Sequence, residues 1–295
     1  MAYEKLPTAK ELKKIQDELV DTIITKPNEL RKMIEIQLKS REGFYRYTLQ
    51  NLILADFQLH YRTGEGIELL APYKVWEEKG RHVRKGEKSL RVLAPVFKKE
   101  TNEETGEERE YLAYFMRVPV FDLSQTNGKQ LETDFTHGND LQFTLTEIIN
   151  RGNVKVNLSN KELTRGYTDG KQIWVSKHLT TEHQICTYFH ELAHHILHFD
   201  KDRNELNSAT KELEAEAISY IVSCYLGITN DEAPAYILHW TKEYDETERT
   251  KLLKGKGSRV LKTAQKIITD LKLESLLNNK LELKTEKSTF EGECI

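Results

Sequence analysis

The chain has 295 residues, 31% of them charged and 38% hydrophobic, with a formal net charge of -3. That length gives room for two ordinary domains and a sizeable core, and the near balance of charge excludes a wholly basic or acidic protein without naming a partner. The longest apolar run, Ala217 to Ile228, is too short and too interrupted to span a bilayer. Cys186, Cys224 and Cys294 show neither paired nor zinc-knuckle spacing, and no secretory leader pattern is present, so a soluble protein of the reducing cytoplasm, away from membranes, is expected.

Thr8-Ala-Lys-Glu11 reads as a capping box that opens a charged amphipathic helix ending before Pro27. A second helix is expected from Asn28 to Lys39 and a third from Phe44 to Tyr61, with Leu49, Leu52, Ile53, Ala55 and Phe57 largely inward. Ile67 to Trp76, Ser89 to Lys98 and Glu110 to Phe121 are rich in β-branched and aromatic residues. An acidic loop between the last two makes a long hairpin, so the fold class is α+β.

Charge is unevenly placed within this half. From Lys74 to Lys98 there are eight Lys or Arg against three Glu. Cations for phosphates, glycines for close backbone turns and the flat faces of Tyr73 and Trp76 fit a single-stranded nucleic-acid site. A solvated basic loop beside a buried Trp fits the composition equally well.

The polar stretch 127–140 is expected to be a linker, followed by a helix from Leu141 to Arg151 and a strand from Asn153 to Leu158. Gly166 to Gly170 is a turn signal and Lys171 to Ser176 is β-rich, so a hairpin precedes the next helix. Its edge strand could pair with an extended peptide. That helix opens at a capping box, Thr181-Glu-His-Gln184, and carries His190-Glu191-Leu192-Ala193-His194. Positions i and i+4 lie one above the other, so His190 and His194 can offer two imidazoles to one zinc ion, with Glu191 beside them as general base for a water. His195 points away toward solvent, and His198 lies one turn beyond His194. Leu197 and Asp200 exclude the metzincin pattern.

A catalytic zinc needs a third protein ligand. Glu212, Glu214 and Glu216 compete on the following helix. Glu216 lies within its apolar face, where a carboxylate is costly unless paired, and is the expected ligand, with Glu214 in reserve. Further helices are expected from Asp231 to Tyr244, with Trp240 inward, and from Val260 to Leu273, with a charged tail beyond Lys280.

His190-Glu-Leu-Ala-His194 with Glu216-Ala-Ile-Ser downstream resembles the gluzincin metallopeptidases, and the element order is similar to their ImmA/IrrE-type and SprT-like relatives. That resemblance implies His190, His194 and Glu216 as ligands and Glu191 as base. Tyr220 stands where thermolysin has an Asp orienting a ligand histidine, which leaves the groups behind the ligands unassigned. Arg46-Tyr-Thr-Leu-Gln-Asn51, Trp76, Gly80-Arg-His-Val-Arg-Lys-Gly-Glu-Lys88, Leu93-Ala-Pro95 and Val120-Phe-Asp-Leu-Ser-Gln-Thr126 together resemble the N-terminal domain of ArdC antirestriction proteins. Thr48 departs from an expected serine but keeps the hydroxyl.

The second resemblance implies a single-stranded-DNA-binding domain joined to a zinc-peptidase-like domain, on a plasmid, conjugative element or phage. Tyr47, Asn51, Trp76, Arg81, Arg84, Lys85, Lys88 and Gln125 become candidate DNA contacts. The expected division is a DNA-binding domain at 1–127, a linker at 128–140, a peptidase domain at 141–285 and a tail at 286–295. The protein substrate is not legible. Two other functions compete: a non-catalytic protein with a structural zinc site that coats single-stranded DNA or blocks a nuclease, and an ImmA-like regulator that cleaves a repressor.

Overall fold

The computed structural model describes residues 7–40, 47–101, 108–131, 144–161, 164–199, 206–228 and 246–277. The helix expected at 231–244, most of the expected linker and the tail beyond Lys280 lie outside them. The fold is α+β. The chain divides into two units, Met1–Ile23 with Lys32–Phe135 and Ile24–Arg31 with Thr136–Ile295.

The first unit is built on an antiparallel ribbon. β3 (Leu90–Thr101) and β4 (Glu108–Asp122) pair from Leu90↔Val120 to Thr101↔Glu108, with one register shift at Val96/Phe97, and β1 (Leu70–Ala71) pairs with β4 on its other side. β3 is therefore an edge, and α3 (Leu49–Thr63) covers it with side-chain amides. Asn51 donates to Leu93 O (2.9 Å) and accepts from Leu93 N–H (3.0 Å). Gln58 treats Arg91 in the same way, at 2.8 and 2.9 Å. Two amides stand in for a missing strand and close the edge. Thr48 is the N-cap of α3, its hydroxyl accepting from Asn51 N–H.

The expected capping box at Thr8 and Glu11 opens α1 (Ala9–Ile23), whose Leu12 packs with Leu54 and Leu93. α2 (Pro27–Lys39) follows. The β-rich reading of Ile67 to Trp76 needs correction. Only Leu70–Ala71 is strand, because Pro72 at φ -64° presets the entry to a short helix, α4 (Tyr73–Glu78). Trp76 on α4 is wholly buried beside Leu69 and Ala71. β2 (Arg81–Val83) pairs antiparallel with β5 (Thr126–Gly128). The basic turn after β2 is closed by Glu87 N–H to Arg84 O (3.2 Å), and Gly86 at φ 92° takes the left-handed position that a side chain would strain.

The second unit pairs β6 (Lys155–Ser159) parallel to β8 (Gln172–Ser176), and β7 (Gly166–Thr168) antiparallel on the other side of β8. The expected hairpin is thus β7–β8, with β7 at the edge. α5 (Leu145–Ile149) starts at the Thr144–Glu147 capping box, later than the expected Leu141. α6 (Thr181–Leu197) is capped by Thr180, one residue before the expected start. α7 (Ser208–Tyr225), capped by Asn207, packs on α6, while α6 also packs on β7 and β8. α8 (Glu246–Leu253) and α9 (Gly257–Asp270) complete the described helices, α9 lying on α7. Ile185, Phe189, Leu213, Ile218, Ile221, Val260 and Ala264 are all buried. Among the described residues no helix is long and apolar enough to cross a membrane.

Candidate metal centre

The helical spacing of α6 performs as its period dictates. His190 and His194 meet with their Nε2 atoms 3.0 Å apart, and Glu212 Oε2 of α7 lies 3.3 Å from the first and 3.4 Å from the second. Together the three form a cluster able to hold an ion. Ligands at zinc-like bond lengths around a tetrahedral centre are about 3.3 Å apart, so the triangle has the size of one coordination face. Two imidazoles and one carboxylate also suit several other divalent ions. The donor set fits a divalent metal.

Glu216, the expected third ligand, sits one turn further along α7. It is 4% exposed, and its Oε1 lies 3.4 Å from His190 Nδ1, on the other side of that ring. Both acids face the cleft because i and i+4 share a helix face. The deeper acid costs more to bury, which is why sequence favours it; the shallower acid closes on both Nε2 atoms. Neither His190 Nδ1 nor Glu216 Oε1 has a hydrogen-bond partner.

Glu214, the reserve, is fully buried and turned onto His198, with Oε2 2.9 Å from His198 Nε2. His198 Nδ1 in turn lies 2.9 Å from His194 Nδ1, and Arg259 of α9 approaches Glu214 at 3.6 Å while donating to Leu197 O at the end of α6. A ligand histidine needs its other nitrogen held by a polar partner, which fixes tautomer and ring plane. Glu216 stands in that position behind His190, and the His198–Glu214–Arg259 chain stands there behind His194. The i+4 spacing of His198 from His194 hinted at this line; nothing in the sequence marked Arg259. His195 is half-buried rather than turned to solvent. Tyr220 donates to Pro27 O (3.0 Å), so its hydroxyl is already committed.

His190, His194, Glu212, Glu216 and Tyr220 line a cavity of about 560 Å³ bounded by β7, α6 and α7. Glu191 is at its wall, and burial, reinforced by Glu212 and Glu216, raises its pKa above the carboxylate norm against the pull of the histidines. Burial would lower His190, but the Glu212 and Glu216 carboxylates close beside it raise it to about 10; the two histidines hold Glu212 well below the usual range although its burial pulls upward. Burial also pushes the Cys186 thiol up to about 11, which keeps it protonated at neutral pH. At Gly166 any side chain would meet Thr187 and Glu191, its Cβ falling 2.6 Å from Thr187 Cγ2. Glycine therefore lets the β7 edge approach the helix beside Glu191.

The candidate DNA contacts separate into two groups. Trp76 is enclosed and its indole N–H donates to Phe121 O (3.1 Å), so neither ring face is open to a base. Asn51 is occupied on β3, and Tyr47 is buried. Gln125 is buried, accepting from Asp122 N–H and donating to Glu87 and Lys88 O. Arg81 is spent on Thr126 and Lys129 O, and Arg84 is paired with Glu87. Lys85 and Lys88 are exposed.

Residues 13–121 match the family model of the N-terminal domain of the anti-restriction factor ArdC, and residues 153–247 match Peptidase M78, the IrrE N-terminal-like domain. The chain is an ArdC-like two-domain protein. A metal-free crystal structure of the antirestriction ArdC protein from plasmid R388 aligns at TM-score 0.51 and 21% identity, covering 87% of this chain and 98% of that one. Its Mn(II)-bound form aligns at TM-score 0.43 and 16% identity, covering 82% and 98%. An uncharacterised Bacillus anthracis protein, pXO2-81, is 26% identical over an alignment of 291 residues that covers 81% of this chain and 48% of that relative. The ArdC-like chain thus spans about half the length of that relative. Its second unit has a metallopeptidase-like fold.

Proposed function

We propose that this chain is an antirestriction-type protein of a mobile genetic element, acting in the cytoplasm, that binds single-stranded DNA and carries a zinc-dependent peptidase centre. The observation that carries the peptidase part is the triangle of His190 Nε2, His194 Nε2 and Glu212 Oε2 beside the buried Glu191. A zinc ion held by His190, His194 and Glu212 would supply Lewis-acid polarisation of a peptide carbonyl and acidify a water. Glu191 then accepts the water proton and returns it to the leaving amine, work that its raised pKa favours. The unpaired edge of β7 aligns an extended peptide along the cleft, with Gly166 keeping that edge close to Glu191. The DNA-binding part rests on the match of residues 13–121 to the ArdC N-terminal domain and on the exposed cations around the β2 turn.

The test compares the full chain with Glu191→Ala for metal content, affinity for single-stranded DNA, and cleavage of a denatured protein mixture with and without that DNA. We expect metal and DNA binding to survive and cleavage to fall by about 10²–10⁴-fold. If neither protein cleaves while both bind DNA and metal, the metal organises the fold and the peptidase reading fails.

A further inference from the structure

Phe57 and Tyr61 stand one turn apart on α3, stacked with centroids 6.4 Å apart, yet they are 43% and 83% exposed. The adjacent stripe of α3, about 100° round, carries Gln58 and Arg62. Gln58 clasps the Arg91 backbone, and Arg62 donates to Lys88 O (3.0 Å) and Ser89 O (3.2 Å). The helix therefore draws Arg62, Lys88 and Arg91 to one seam at the start of β3. Among the described residues none of these three, nor Lys85, forms an ion pair, whereas neighbouring Arg84 is neutralised by Glu87. Partial burial and then the nearby Arg91 charge lower the Arg62 pKa. One exposed ring needs no explanation. A stacked pair beside crowded cations that no described carboxylate offsets calls for a ligand with both flat faces and negative charge.

Building on the reading that this unit binds single-stranded DNA, we infer that the strand runs along the α3–β3 seam, its bases stacked on Phe57 and Tyr61 and its phosphates on Arg62, Lys88 and Arg91. Repeating anions alternating with unpaired rings match this arrangement. Duplex DNA offers no ring faces, and an acidic peptide offers only charge.

The experiment titrates the full chain into labelled oligo-dT at several salt concentrations. Tyr61→Ala weakens binding about tenfold, while Tyr61→Phe, which keeps the ring, restores it. Arg91→Gln reduces the slope of log affinity against log salt by about 0.7. Tyr114→Ala, on the β3–β4 ribbon away from the seam, leaves affinity unchanged. If wild type binds and both Tyr61→Ala and Arg91→Gln bind with its affinity and slope, the track lies elsewhere and the broader DNA reading survives. If Arg91→Gln weakens binding but Tyr61→Ala does not, the patch reads charge alone, as for an acidic peptide, and the stacking track is overturned. If wild type binds no oligo-dT at low salt, the DNA reading falls and takes the track with it.

Discussion

The metal cleft and the basic segment of the N-terminal unit treat buried polar groups in opposite ways. In the cleft, His190 Nδ1, Glu216 Oε1 and Ser223 Oγ are buried without hydrogen-bond partners, and two imidazole nitrogens and a carboxylate crowd within 3.4 Å. In the N-terminal unit, Asn51, Gln125 and the indole of Trp76 are each matched to a backbone partner, and the fully buried Asp122 accepts from Glu68, Leu69 and Ser124 N–H. A buried polar group left unmatched is costly. A cluster of them therefore marks a place where something binds, and a fully matched set marks a place where the fold is held. The difference separates chemistry from scaffolding within motifs that look equally functional.

The scaffold side is tested most severely by Trp76→Ala, which removes a wholly enclosed ring. It is expected to destabilise the first unit by about 3–5 kcal/mol, seen as a lowered unfolding midpoint. If stability were kept and only DNA affinity lost, Trp76 would belong with the ligand-binding groups and the contrast would collapse.

On the cleft side, Glu212→Gln should weaken metal binding by more than about 100-fold, and Glu216→Gln by about 10–100-fold, since the first alters a ligand and the second a group behind one. Calorimetric titration with zinc distinguishes them, and the reverse order would make Glu216 the ligand. His198→Ala interrupts the line from His194 to Glu214. We expect a further about 10–100-fold loss of zinc affinity, with the His190 to Glu212 contact kept. Unchanged affinity would mean that His198 serves packing only.

The smallest effect is expected at Arg84→Gln. An exposed ion pair contributes about 0–1 kcal/mol, and Glu87 already offsets this charge. The salt slope for oligo-dT should stay near wild type, whereas Lys85→Gln lowers it if the turn touches phosphate. Equal slopes for the two variants would show that the pair opens on binding.

Sequence by itself determined the α+β class and the hairpin before the metal helix, because these follow from local periodicity, capping and turn chemistry. It also determined that His190 and His194 share a helix face and that Glu191 is their neighbour, since i and i+4 superpose wherever a helix forms. Which of three closely spaced acids closes the triangle depended on the phase of α7 against α6, a relation between helices that spacing within one helix does not contain. The same holds for Arg259 behind Glu214 and for Asn51 and Gln58 along β3. Tertiary structure alone decided that Trp76, on a short helix, and Gln125, in a turn, face inward. Loops and short helices have no period to announce a face, so burial there is set by what packs against them.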